Sequence, residues 1–371
     1  MNANLLEIKS RKRQNPLAPA DPSDFEFEQG NAVDPKIVVT NPLISLYCLD
    51  HANQRALFVE TSPGVDLSQV PFFYQAQYEN TVNLIGVPYE TLNKLASEIS
   101  FDSNQLILIY SVGRAGSTLL GSALNAVDGI VGISEPDVFT QLVMFRDFGG
   151  SNDIEISKLV ESCIKLQCKP TEQISNPIAW AIKFRSFSIE LGDLLYKHFP
   201  HTKNIFIYRN AESWTTSTMR AFVENEHNVE FRTFMQGFLS TMVPPIAKHV
   251  KSGGELLTFS TIGAMMWLRV MERYMELHEK GMPGLAVRYE DLKAAPQETM
   301  KKIVDYCGFS NVNIETVYQV LAKDSQAGSA ISQENLGQKN FEMTDAHRAD
   351  LTRVLQAHPV INSPDFRVPT I

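Results

Sequence analysis

The sequence predicts an α/β protein with a central parallel sheet, helices on both faces and an N-terminal extension. Two observations carry this. From residue 106 onward, short unbroken apolar runs of strand length alternate with helical patterns. The glycines, serines and charges that could do chemistry fall just after those runs, where parallel sheets place their ligands. With 371 residues, 44% of them hydrophobic, the chain can bury a sizeable core.

The predicted strands are 106–110 (LILIY), 130–133, 180–184, 205–208 and 285–287. An unbroken apolar run suits a strand covered on both faces, because crossover helices shield both sides of a parallel sheet. The most apolar stretch, 256–275, is interrupted by Arg269, Glu272 and Arg273. That reads as a buried helix rather than a membrane span. Residues 1–100 form the expected extension and 101–371 the main domain. The charged, proline-dotted start predicts a mobile arm. The strand-like runs and turns that follow predict a lid or substrate wall on the main domain, or a purely structural addition.

Formal net charge is −9. Nucleic acid and polyanionic polysaccharide are therefore poor partners, since phosphate and sulfate tracks need a basic surface. A small basic pocket is still allowed. The start has no apolar run of the signal-peptide kind, so a cytoplasmic protein is expected, without membrane attachment. Cys48, Cys163, Cys168 and Cys307 have no metal-ligand spacing and read as ordinary thiols.

The first chemical motif is LILIY-SVGRAGSTLLGSALN. A buried strand runs into Ser111-Val112-Gly113-Arg114-Ala115-Gly116, and a helix opens at Ser117-Thr118. The two glycines let the backbone turn sharply and approach an anion. The helix start supplies N–H donors and a positive dipole end. Arg114 adds a cation, and Ser117 and Thr118 add hydroxyls. The nucleoside triphosphate motif GxxxxGK(S/T) is not met, because Gly116 is followed directly by Ser117 with no lysine.

The second motif is NIFIYRNAESWTTSTMRAF, where Arg209 ends a strand and Ser217 lies eight residues on in the next helix. Together these motifs resemble the phosphosulfate loop and the RN(P/A)xxxxxS segment of sulfotransferases that use 3′-phosphoadenosine 5′-phosphosulfate (PAPS). VRYEDLKAAPQETMKKIVDYCGF resembles the family's YEDL segment. The resemblance spans roughly 104–330 and implies the P-loop-like sulfotransferase fold. It implies that Gly113, Arg114, Ala115, Gly116, Ser117 and Thr118 cradle the donor. It also implies that Arg209 and Ser217 hold the 3′-phosphate, that PAP is the product, and that no metal is needed.

Many members have a lysine where Arg114 stands. An arginine there acts electrostatically, not as a general acid. Many cytosolic members carry a catalytic histidine where this chain has Arg185, after Ile182-Lys183-Phe184. Glu135, after the run 130–133, is the substitute base that relatives suggest. The alternative is a carboxylate serving a helix start. His198, His201 and His227 are weaker bases. Lys183 and Arg185 are expected to contact sulfate or acceptor, or else to be plain strand-end charges. Ser325 and Gln326 are expected near the nucleotide, in a segment that could equally be a surface loop.

The sequence therefore predicts a PAPS-dependent sulfotransferase acting on a hydroxyl or amine of a small molecule. A natural product such as a polar alkaloid toxin is one candidate. The rivals are a P-loop small-molecule kinase and a non-catalytic nucleotide-binding module of the same fold. Oligomeric state is not legible.

Overall fold

The computed structural model describes residues 2–13, 15, 18–309, 312–321, 339 and 341–371. Among the described residues the strands are β1 (Ala3–Arg11), β2 (Phe25–Val33), β3 (Ile44–Asp50), β4 (Arg55–Thr61), β5 (Thr81–Pro88), β6 (Leu106–Ser111), β7 (Ile130–Ser134), β8 (Ala179–Lys183), β9 (Lys203–Tyr208) and β10 (Leu285–Arg288). The chain divides into two compact units. The first comprises Met1–Ile107, Asp128–Phe184 and Leu191–Thr202; the second comprises Leu108–Val127, Arg185–Glu190 and Lys203–Ile371. The division does not fall at residue 100.

In the first unit, β1 to β5 make an antiparallel sheet in the order β2-β1-β5-β4-β3. The mobile arm expected at the start is instead a paired strand. In β1, Leu6 is buried and Ile8 packs on the core, while Glu7 is exposed and Lys9 reaches Glu7 and Glu28 at the surface. That alternation gives a half-buried strand despite the high charge. Beyond β1 the chain is pinned by Arg13, whose buried guanidinium meets Asp24 at 2.7 Å while Tyr47 donates its own hydroxyl to Asp24. The sheet closes over Leu6, Phe25, Tyr47, Leu57, Val59 and Tyr74.

The first unit also holds β7 and β8, paired in parallel from Ile130↔Ala179 to Ser134↔Lys183. Its helices are α1 (Ile37–Thr40), α2 (Phe73–Asn80), α3 (Tyr89–Glu98), α5 (Val138–Phe145), α6 (Asp153–Gln167) and α7 (Gly192–His198), with α4 (Ser117–Asn125) falling in the second unit. Phe139 of α5 meets Phe184 edge-on at 5.1 Å.

The second unit orders its strands β10-β9-β6, with β10 parallel to β9. All of β6 is buried, as its unbroken apolar run required. Besides α4, the unit carries α8 (Ala211–Phe222), α9 (Val229–Leu239), α10 (Pro244–Lys251), α11 (Phe259–Glu279), α12 (Tyr289–Ala294), α13 (Pro296–Tyr306), α14 (Ile314–Leu321) and α15 (Asp345–Gln356). The α11 helix is the buried helix anticipated around 256–275. Thr258 caps it by accepting from the Thr261 N–H at 3.1 Å. Its arginines are neutralised locally, Arg269 by Glu190, Glu272 and Glu276, and Arg273 by Glu276. Phe206 of β9 stacks on Tyr274 of α11 at 4.2 Å. The strands expected between 106 and 287 are thus all present, in a parallel sheet flanked by helices. No described helix is long and apolar enough to cross a membrane.

Candidate active site

The loop after β6 turns through three left-handed residues, Gly113 (φ 74°), Arg114 (φ 49°) and Gly116 (φ 85°). Glycine is required at two of these by space as well as by torsion. A Cβ on Gly113 would lie 2.8 Å from Ser186 Oγ, and one on Gly116 would lie 3.0 Å from the Tyr289 ring. Arg114 has no such freedom, so its conformation costs about 1–2 kcal/mol and must be held by its surroundings. Ser111 Oγ accepts from the Gly113 N–H at 3.2 Å and donates to Ser117 Oγ at 3.2 Å, tying the strand end to the helix start. Ala115, Ser117 and Thr118 are buried there. The first turn of α4 leaves N–H groups without intrahelical acceptors, which suits an anion.

Arg209 directly follows β9, and α8 starts two residues later. Asn210 caps that helix, accepting from the Glu212 and Ser213 N–H groups at 2.9 and 3.2 Å. The motif's asparagine is therefore explained by capping. Ser213 and Ser217 lie one turn apart on one face of α8. Ser213 Oγ accepts from Arg209 Nε at 2.8 Å, and Ser217 Oγ accepts from Arg114 Nε at 3.3 Å. Arg209 Nη1 donates to the Arg114 carbonyl at 3.2 Å, and its guanidinium lies 4.7 Å from the Tyr289 ring centroid. The structure thus brings Arg114, Arg209 and Ser217 together at the turn.

Burial pushes the Arg114 guanidinium below its ordinary range, and neighbouring Arg209 adds to the fall. Burial lowers Arg209 too, with Tyr289 and Glu290 opposing. Among the described residues no carboxylate pairs with Arg114. Two partly desolvated cations side by side are costly until an anion joins them.

The first unit carries the other half of the predicted chemistry. Glu135 follows β7 in a left-handed conformation (φ 59°), and its N–H donates to the Lys183 carbonyl at 2.6 Å. Its carboxylate forms an ion pair with Lys183 Nζ, and both side chains are largely buried. The N-cap of α5 is Asp137, which accepts from the Ala20 N–H at 2.9 Å. Of the weaker candidates, His198 bonds to Ser157 Oγ at 2.7 Å, while His201 and His227 are exposed.

Arg185 belongs to the second unit and opens the turn that continues as the 3-10 segment Ser186–Leu191. That turn is anchored by Glu190, which accepts from Arg269 Nε and Nη2 at 2.6 and 2.8 Å. Ser325 and Gln326 lie outside the described residues. Among the described residues, no group of three or more His, Cys, Asp or Glu could hold a metal ion, and all four cysteines are buried and free.

Residues 106–312, more than half of the chain, match the profile of the sulfotransferase family. The chain belongs to the sulfotransferase family. Solved structures similar to this sulfotransferase include STF1 from Mycobacterium tuberculosis, at 13% identity and a TM-score of 0.41, covering 71% of this chain and 82% of that one. A sulfotransferase from Alicyclobacillus acidocaldarius matches at 13% identity and 0.39, covering 70% and 96%. Mouse sulfotransferase SULT7A1, solved with PAP, matches at 14% identity and 0.36, covering 72% and 87%. No curated protein sequence matches the chain.

Further side chains of this sulfotransferase support the turn. Tyr289 lies against both Gly116 and Arg209. Glu290 accepts from Ser213 Oγ at 2.9 Å and from the Asn210 N–H at 3.2 Å. Trp214 Nε1 donates to the Val112 and Gly113 carbonyls, both at 2.9 Å, and Trp267 Nε1 to the Arg209 carbonyl at 3.0 Å. The YEDL segment was visible as a resemblance, but its contacts with residues so distant in sequence were not.

Proposed function

We propose that this sulfotransferase transfers the sulfuryl group of PAPS to a hydroxyl or amine of a small molecule and releases PAP. The observation that carries the reading is the approach of Arg114 and Arg209 at a left-handed strand-to-helix turn, joined by Ser217, with no carboxylate on Arg114 among the described residues. Such a turn wants a phosphate, and a second cationic anchor wants another. A donor with a 5′-phosphosulfate and a 3′-phosphate supplies both.

In this reading Gly113 to Thr118 hold the 5′-phosphosulfate, while Arg209 and Ser217 hold the 3′-phosphate. The acceptor oxygen or nitrogen attacks sulfur in line. The sulfur–oxygen bond to the 5′-phosphate breaks, and Arg114 stabilises the charge gathering on the leaving phosphate. The acceptor proton passes to Glu135, whose carboxylate Lys183 orients. Arg185 takes part as a further cation on the acceptor side. No step calls for a metal. The acidic balance of the chain favours a small acceptor, including a natural product in the cytoplasm, over a nucleic acid or a membrane surface.

Thermal denaturation with and without PAP tests the reading, because only a ligand that prefers the folded protein raises the melting point. PAP should raise it in the presence of EDTA. A shift given only by ATP with Mg²⁺ would favour a kinase.

A further inference from the structure

We propose that a cleft in the first unit receives the non-reacting end of the acceptor, and that this end is an apolar chain or ring finished by a hydroxyl. The proposal rests on the reading of Glu135 as the acceptor-side base. It narrows the acceptor class, turning away from a uniformly polar alkaloid.

The cleft is narrow and partly open to solvent. Its apolar lining comes from separate segments: Leu43 before β3, Val65 and Leu67 between β4 and α2, Phe73 at the start of α2, and Val131 and Ile133 from β7. A concave apolar surface with a few polar groups is the usual form of a small-molecule site. Two polar groups are set into this one. Gln167 is only 6% exposed, and its carboxamide oxygen is buried with no hydrogen-bond partner. Buried polar atoms normally find a partner, so an orphan acceptor in a cleft wall asks for a donor.

The second group is Lys169. Its Nζ donates to the Val38 and Asn41 carbonyls at 2.8 and 2.7 Å, which leaves one position on the nitrogen for a third contact. Among the described residues it has no carboxylate partner, and burial pushes its amine down to about 7. A hydroxyl suits this pair of groups because it can donate to Gln167 and, while the amine is protonated, accept the third N–H of Lys169.

The cleft also has a direction. Val131, Gly132 and Ile133 form part of its wall, and the same strand leads to Glu135 two residues beyond Ile133. At about 3.3 Å per residue, the cleft wall and the base are roughly 7 Å apart along the chain. An acceptor with its reacting hydroxyl at Glu135 and its far end in the cleft would therefore span several carbon atoms.

The test uses the full chain loaded with PAP, with 1,8-octanediol and 1-octanol as probes. Binding is read by saturation-transfer NMR on wild type, Gln167→Leu and Leu67→Trp. Leu67 is half-buried in the short 3-10 turn Leu67–Gln69, outside both sheets, so tryptophan there fills the cleft against β7 without replacing a strand residue. Wild type should hold the diol roughly fivefold more tightly than the alkanol, the worth of about one hydrogen bond. Gln167→Leu should erase that preference while keeping 1-octanol. Leu67→Trp should weaken both probes roughly tenfold or more, by occupying the apolar space.

All three proteins should show the same PAP-induced melting shift. Equal affinity for the two probes in wild type, a preference that survives Gln167→Leu, or no effect of Leu67→Trp would overturn the proposal and leave a cleft that holds only water. Loss of the PAP shift in wild type would instead strike the donor reading. Probe binding in unloaded protein would then decide the cleft by the same criteria.

Discussion

Replacing Arg209 by alanine separates two kinds of loss. In the unliganded protein the side chain bonds to Ser213 Oγ at 2.8 Å and to the Arg114 carbonyl at 3.2 Å, and it covers Tyr289 at 4.7 Å. Those contacts are worth about 0.5–1.5 kcal/mol each. Against them stands the cost of a partly desolvated cation beside Arg114, which the substitution removes. The net fall in stability should be modest, about 1–2 kcal/mol, and α8 should persist because Asn210 still caps it. Donor binding should suffer more. A charge-assisted bond to the 3′-phosphate is worth about 1.5–3 kcal/mol, so the Kd for PAP should rise roughly 10- to 150-fold. Titration calorimetry with PAP and with the nucleotide lacking the 3′-phosphate reads this directly. The second nucleotide should bind wild type weakly and lose less than about twofold more in the variant. Equal losses for the two nucleotides would refute the placement of the 3′-phosphate at Arg209.

Three further expectations follow from the same contacts. Glu135→Gln should lower turnover by roughly 10²–10⁴, the usual worth of a general base, while PAP affinity stays unchanged. Steady-state rates near wild type would remove Glu135 from the reaction. Tyr289→Phe keeps the ring beneath Arg209 and should leave PAP affinity within about twofold, whereas Tyr289→Leu should weaken it by about 0.5–2 kcal/mol; equal calorimetric values for the two variants would contradict the role given to the ring. Burial lowers the Lys169 amine from 10.5 to about 7, so between those values the unfolded chain binds one more proton than the folded one. The stability contributed by Lys169 should therefore improve as pH rises through that window, and Lys169→Met should flatten the trend; parallel slopes in urea melts at pH 7, 8 and 9 would contradict it.

The sheet around the donor loop was legible because parallel strands are written as unbroken apolar runs, and LILIY before Gly113 states its own burial. The spacing from Arg209 to Ser217 was legible for a related reason. A strand end and the next helix's second turn are fixed by local geometry, so a sequence interval becomes a distance. The start of the chain was misread because charges at Glu7 and Lys9 hide a strand that buries Ala3 and Leu6 and packs Ile8 on the core. Its anchor, Arg13 with Asp24 and Tyr47, exists only after folding. The same holds at the site. Glu135 and Lys183 stand 48 residues apart and meet because β7 pairs with β8. Tyr289 reaches Gly116 and Arg209 across long separations. Local patterns predicted the turns after β6 and β9, whereas the side chains that support them came from tertiary packing.

The most direct test of the account is transfer of the sulfuryl group itself. The protein would be incubated in EDTA with PAPS labelled at sulfur and a panel of small alcohols, diols, phenols and amines. Label should move to at least one acceptor faster than PAPS hydrolyses, with PAP released in equal amount. Arg114→Ala should abolish the transfer. Label that stays on PAPS throughout, while the same protein moves the terminal phosphate of ATP to an acceptor once Mg²⁺ is supplied, would contradict the proposed transfer.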